Sequence, residues 1–243
     1  MARIISPPRS ELVRLRQPLT RGERLVFDFL DTHLPDAWEI YVQPHLNGLR
    51  PDFVLLHPRV GIAVFEVKDW NLDAMEYYVL ERPGKAPELF GRKDGRSFSL
   101  QSQNPVKKVY LYKREINELY CPRLHRRAGL AVITAGIIFP FAKGERVRKL
   151  LHPFLRYRGM DEYGKYNPVS GMEALQSGNV GLIFPEGLRK HSSYMNPNLA
   201  KDLRNWLVEP DFSATQRKPL LLDNTQRNLV MTRTITGYRR IKE

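Results

Sequence analysis

Apolar and polar positions alternate most tellingly over residues 50–70, RPDFVLLHPRVGIAVFEVKDW. Two short runs, 51–56 and 60–68, flank a turn containing Pro58 and Gly61, and both runs predict strands of one hairpin. Side chains alternate across a strand, so Ile62, Val64, Glu66 and Lys68 share one face and Ala63, Phe65 and Val67 the other. Both faces stay apolar until the last three positions, as in a central strand covered on both sides. A turn centred near Arg59 sets Val54 opposite Val64 and Asp52 opposite Glu66. Two carboxylates at the end of an apolar strand destabilise each other unless a cation lies between them, and a divalent metal meets that need.

The flanking pattern predicts a layered arrangement. Thr20-Arg21-Gly22-Glu23 has the form of a capping box, and Leu25, Val26, Phe29, Leu30 and Leu34 follow at helical spacing until Pro35. Residues 38–46 (WEIYVQPHL) and 76–80 predict strands, whereas 81–97, rich in Gly, Pro and charge, predict a loop. Asn104-Pro105 opens a helix running to about Tyr120, with Val109, Tyr112, Ile116, Leu119 and Tyr120 as its buried stripe. Residues 130–139 (LAVITAGIIF) predict a second buried strand. Helix, strands, helix and strand around a small mixed sheet make an α/β sandwich. Beyond Pro140 the pattern predicts short helices at 143–151 and 171–176, a strand at 180–184 (VGLIF) and a helix at 198–208. The chain thus divides into a basic N-terminal arm (1–19), a core (20–139), an α/β extension of it (140–209) and a final segment (210–243) that begins as a polar linker.

Composition narrows the partners. The 243 residues carry 39 Lys and Arg against 26 Asp and Glu, a net charge of +13. That excess points to a polyanion, with nucleic acid first. A single cysteine, Cys121, excludes a disulfide framework and a thiolate zinc site. No signal peptide or membrane-spanning run is evident, so a cytoplasmic protein is expected, with no membrane partner. The histidines show no paired metal-ligand spacing. Trp38, Trp70 and Trp206 are expected to pack in the core or on the sheet, although Trp70 adjoins the acidic cluster.

Pro51-Asp52, thirteen residues, then Glu66-Val67-Lys68 is the PD…(D/E)XK arrangement of a nuclease superfamily. Phosphodiester hydrolysis needs a placed water, charge stabilisation at the phosphate oxygens and help for the leaving oxygen. Asp52 and Glu66 suit Mg²⁺ or Mn²⁺, with the main-chain carbonyl of Val67 as a further ligand. Lys68, on the face of Glu66, suits the attacking water and the developing negative charge. Glu23 is a further acidic candidate, and its place in the capping box offers a purely structural role beside the catalytic one. Asp69 points to the opposite face and reads as solvated or supporting. Arg50, Lys107, Lys108 and Arg114 are candidate DNA contacts.

In the segments GERLVFDFL, LNGLRPDFVLL, GIAVFEVKDW and NPVKK, the chain closely resembles the nuclease-related domain, or NERD, family, over roughly residues 19–139. The resemblance implies a restriction-endonuclease-like fold and metal-dependent DNA cleavage, with Glu23, Asp52, Glu66 and Lys68 at the family's site positions. Relatives often carry glutamine in the first turn after Asn104-Pro105, where this chain has Lys107 and Lys108. A lysine can meet a phosphate there but accepts no hydrogen bond. Residues 222–226 (LDNTQ), an apolar stretch and 237–241 (GYRRI) resemble the opening segment of superfamily 1 helicases, which implies adenine recognition by Gln226 in a complete helicase. No G-x-x-x-x-G-K-[ST] loop follows, so this chain is expected to be the N-terminal part of a longer nuclease–helicase acting in DNA processing or defence against foreign DNA. A non-catalytic module of the same fold, gripping DNA or a partner and positioning a motor, is the alternative.

Overall fold

The computed structural model describes residues 3–46, 49–120, 133–195 and 197–207, with main chain alone at 119, 120 and 206. The predicted hairpin is its centre. Strands β3 (Phe53–His57) and β4 (Gly61–Val67) pair antiparallel with Val54 opposite Val64, the expected register. β4 runs parallel to β8 (Ile133–Ile138). On the other side β3 pairs antiparallel with β2 (Glu39–Val42). β1 (Ile5–Ser6) and β9 (Val169–Ser170) close the edges, giving a six-stranded mixed sheet in the order β1-β2-β3-β4-β8-β9.

Alternation along the strands fills a core on each face. Phe53, Leu55, Ala63, Phe65 and Val67 face helix α1 (Arg21–His33), which buries Val26, Phe27 and Leu30 against them. Val54, Leu56, Ile62 and Val64 face α2 (Pro105–Glu115) and α3 (Gly144–Tyr157). The fold is therefore a mixed α/β sandwich, as the pattern predicts, and its sheet and flanking helices are consistent with the nuclease-like core that the resemblance implies. Asn104 caps α2 by accepting from the N–H groups of Val106 (3.0 Å) and Lys107 (3.3 Å), with Pro105 in the first helical position. Among the described residues no helix is long and apolar enough to cross a membrane.

Gly136 shows how tightly β4 and β8 pack. It lies beside Phe65 across the parallel pair, and a Cβ there would stand 2.2 Å from the Phe65 ring. Gly136→Ala is expected to destabilise the protein by about 1–3 kcal/mol through overpacking. A lowered urea midpoint with an unchanged slope is the check.

Three stretches differ from the sequence expectation. Residues 81–97, expected as a loop, contribute β6 (Glu88–Lys93) and, with residues to 99, β7 (Arg96–Ser99), which join β5 (Glu76–Leu80) in a three-stranded antiparallel sheet. Gly84 and Gly95 take positive φ at the two turns, and charged side chains on exposed strands mask the alternation. Residues 180–184, expected as a strand, instead form a helical turn, Val180–Ile183 (α5), after α4 (Met172–Gln176). The Asn179 side chain accepts from Gly181 N–H (2.9 Å), and a short apolar run alone does not separate strand from helix. Within the expected N-terminal arm, Ile5–Ser6 joins the sheet, Leu12 is buried, and the Arg3 guanidinium donates to the Leu30 carbonyl (2.7 Å) and to that of Leu34. The Leu30 carbonyl also accepts from the Leu34 N–H, whereas that of Leu34 lies past the last helical bond, where a cation is favoured. The last helix among the described residues, α6 (Pro197–Leu207), is tied to β2 by Arg204, whose Nε donates to Glu39 Oε2 at 2.8 Å.

Candidate functional site

The carboxyl end of β4, the start of β3 and the N-termini of α1 and α2 meet at one edge of the main sheet. The register places Asp52, one residue before β3, opposite Glu66. Asp52 Oδ2 accepts from the Val67 N–H at 2.6 Å, which fixes the carboxyl across the hairpin. Glu66 is 1% exposed. Its Oε1 accepts from Lys68 Nζ (2.8 Å) and Lys108 Nζ (2.7 Å), and its Oε2 from the Tyr112 hydroxyl (3.0 Å). Lys108 and Tyr112 lie four apart on α2 and so on one helical face. The sheet supplies the carboxylates and α2 supplies a second ammonium and a hydroxyl.

α1 brings Glu23 to the same edge. The capping box is formed, with Glu23 N–H donating to Thr20 Oγ1 (3.2 Å) and Thr20 N–H to Glu23 Oε2 (3.1 Å). The same oxygen accepts from Gln43 Nε2 (3.3 Å), so Glu23 serves the helix start while facing the site. Gln43 has φ 48°, a conformation uncommon outside glycine, and its Oε1 is buried without a hydrogen-bond partner. Asp69, two residues past β4, accepts from the Gly22 N–H at 3.0 Å and pins α1 to the end of β4. That approach needs glycine, because a Cβ at position 22 would lie 2.0 Å from Asp69 Oδ1.

Burial and mutual repulsion dominate the electrostatics. Burial pushes the Asp52 carboxyl well above the usual carboxylate range; Glu66 and Glu23 add to this, while the Val67 N–H and Lys68 oppose it. Glu23 is raised for the same reason, burial first, with Asp69 and Glu66 adding to it against its hydrogen bonds. Burial followed by the charges of Glu66 and Asp52 holds the Tyr112 hydroxyl neutral far into the alkaline range. Burial works against the Lys108 ammonium, but Glu66 outweighs it and the pKa rises.

Asp52, Glu66, Lys68 and Glu23 thus converge, and Lys108, expected as a DNA contact, lies on Glu66. Gln43 and Tyr112 join them without having been singled out from sequence. The other candidates fall outside this cluster. Lys107 is exposed on α2, Arg114 pairs with Glu118 at 3.4 Å, and the Arg50 carbonyl accepts from Tyr112 at 3.3 Å. Gln226 and Cys121 lie outside the described residues.

A metal would find acidic oxygens here, together with the orphaned Gln43 Oε1. Three carboxylates, from Glu23, Asp52 and Glu66, gather beside the ammonium groups of Lys68 and Lys108, and oxygen donors of this kind would suit a hard divalent cation. Among the described residues, though, no three His, Cys, Asp or Glu side chains form a ready-made metal-binding group. Glu66 is held by Lys68 and Lys108, so a metal there would have to displace Lys108, the more exposed of the two at 38% against 13%.

No curated protein and no solved structure matches the chain. A family model described as the nuclease-related domain matches residues 19–140, the stretch containing α1, the central hairpin, α2 and β8. The chain belongs to the nuclease-related domain (NERD) family.

Proposed function

We propose that this protein is a metal-dependent DNA nuclease that hydrolyses phosphodiester bonds at the edge site. The observation that carries this reading is the pairing of Asp52 with Glu66 across the hairpin, with the Lys68 ammonium 2.8 Å from Glu66, in a chain of a nuclease-related family. Asp52, Glu66 and the carbonyl of Val67 would hold Mg²⁺ or Mn²⁺. When bound, the ion supplies Lewis-acid polarisation of the phosphate and a more acidic water. Lys68 orients the attacking water and balances charge building on the phosphate oxygens. Lys108, once off Glu66, meets a neighbouring phosphate as a point charge. Glu23 adds a further carboxylate and Gln43 a neutral amide to the site wall, and Arg50, Lys107 and Arg114 would contact the DNA backbone. The resemblance of residues 222–241 to a helicase opening supports a motor domain as partner, in a cytoplasmic role in DNA processing or defence.

The test is incubation of supercoiled plasmid and single-stranded DNA with Mg²⁺ or Mn²⁺, and with EDTA. Cleavage is expected with metal alone, with Lys68→Met slowing it on the order of 100-fold. One observation favours a non-catalytic DNA-gripping module instead: Glu66 is already neutralised by two ammonium groups and a hydroxyl. Salt-sensitive binding by the wild type with no cleavage under any metal would establish that reading.

A further inference from the structure

A cavity of about 180 Å³ lies between β5 and α3, lined by Leu72, Met75, Glu76, Tyr77, Arg146 and Leu150. It is smaller than pockets for whole drug-sized ligands, which span roughly 300–1,000 Å³, and suits one flat ring system. Its aromatic wall is braced. Tyr77 stacks on Trp70 with centroids 5.2 Å apart and planes 19° off parallel, and Trp70 meets Phe139 edge-on at 5.8 Å. Trp70, which backs Tyr77, follows Lys68 by two residues, so the chain itself links this wall to the proposed cleavage site.

Polar groups at the mouth are fixed in place. The Arg146 guanidinium donates to the Leu72 carbonyl (3.0 Å) and to the Asp73 carboxylate, yet half of its side chain stays exposed. Glu76 is paired with Arg92 on the neighbouring strand at 3.1 Å. Over residues 143–158, α3 and its flanks expose Lys143, Arg146, Arg148, Lys149, Arg156 and Arg158 against Glu145 within the same stretch, with Arg146 and Arg156 also paired to Asp73 and Glu81 of neighbouring segments. A ring-sized pocket with Tyr77 as its aromatic wall, beside the exposed cations of α3, combines the two features that hold single strands: stacking for a base and charge for the phosphates.

We infer that this cavity is a nucleobase subsite taking one unstacked base of single-stranded DNA, whose backbone runs over the cations of α3. The inference deepens the nuclease reading by naming the substrate form, a strand with free bases flanking the cleaved bond. A base in a duplex cannot enter, because it must first leave the stack.

The test is fluorescence anisotropy of a labelled short oligo(dT), and of a duplex of equal length, with the full chain in EDTA. Tyr77→Leu is expected to weaken oligo(dT) binding about tenfold, the scale of one lost base–aromatic stack, and to change duplex binding less than twofold. Oligo(dT) should also quench tryptophan emission, and Trp70→Phe should remove that quench. Arg146→Gln, which leaves the aromatic wall intact, is expected to lower the salt slope of oligo(dT) binding by about 1. Unchanged oligo(dT) affinity and salt slope in folded Tyr77→Leu and Arg146→Gln proteins, or equal losses for duplex and single strand, overturns the subsite. EDTA removes cleavage from the measurement, so these outcomes stand apart from those of the plasmid assay. An inactive protein that still shows the Tyr77 effect refutes the nuclease and keeps the subsite.

Discussion

Glu66→Ala is expected to abolish metal-dependent cleavage and to destabilise the fold by about 3 kcal/mol. The two effects have separate causes. Cleavage is lost because Glu66 is the proposed ligand that Asp52 faces across the hairpin. Stability is lost because the carboxylate is 1% exposed and accepts from Lys68, Lys108 and Tyr112 together. Removing it leaves the Lys68 ammonium, 13% exposed, without that partner in a desolvated place, whereas Lys108 can turn towards water. The loss therefore belongs at the low end of the range for breaking a buried pair. A further offset is the relief of Asp52 and Glu23, whose carboxyls Glu66 repels. Glu66→Gln separates the two effects, since the amide keeps the shape and still accepts from Tyr112 or one lysine. It should recover much of the urea midpoint while staying inactive; recovery of cleavage would remove Glu66 from the metal.

Much of this site was legible because strand alternation and capping rules act locally. Val54 and Val64 set the hairpin register, so the opposition of Asp52 and Glu66 followed from parity alone, and Asn104-Pro105 announced α2. Lys108 and Tyr112 were visible as residues but not as neighbours of Glu66. A tyrosine at helical spacing reads as core, and only the docking of α2 on the sheet turns its hydroxyl to a carboxylate. The paired carboxylates called for a cation, and the chain supplies two of its own as ammonium groups. Gln43 gave no signal, because a glutamine after a strand carries no mark of a positive φ or of an orphaned amide oxygen. Glu23 posed a choice between helix cap and site residue that the geometry dissolves: one carboxyl oxygen caps the helix and faces the acidic cluster. Strands β6 and β7 were hidden because Leu89 is the one large apolar side chain that β6 turns fully to the core, its inner-face neighbour is Gly91, and the rest of both strands is polar or at least partly exposed, which leaves too little alternation to read.

Asp52→Asn is expected to make the metal-free protein more stable at neutral pH and to reduce cleavage on the order of 100-fold or more. The sign follows from burial. Desolvation, then the charge of Glu66, raises the folded-state pKa of Asp52 well above its unfolded value. Between those two values the folded state binds the extra proton, so stability falls as pH rises through the window, and above it the full penalty of the ionised carboxylate persists. Asparagine removes the ionisation, while its side-chain oxygen still accepts from the Val67 N–H. Other groups titrate too. Glu23, also raised by burial, adds to the same trend, whereas burial lowers His57 and makes stability rise with pH over the acid-to-neutral range. Lys113, pushed down to about 8 by burial, acts in the alkaline range, where stability rises with pH because the unfolded chain holds the extra proton. The measurement is therefore the difference in Tm between Asp52→Asn and wild type across pH, in which the contributions of groups distant from Asp52 cancel. That difference should be near zero in acid, open in favour of the variant as Asp52 ionises, and shrink when Mn²⁺ is added to the wild type alone. A variant less stable than wild type at neutral pH would mean that Asp52 is held charged by its own protein partners, and a gap that Mn²⁺ leaves unchanged would mean that Asp52 does not bind the ion; either result removes it as a metal ligand called for by its own charge.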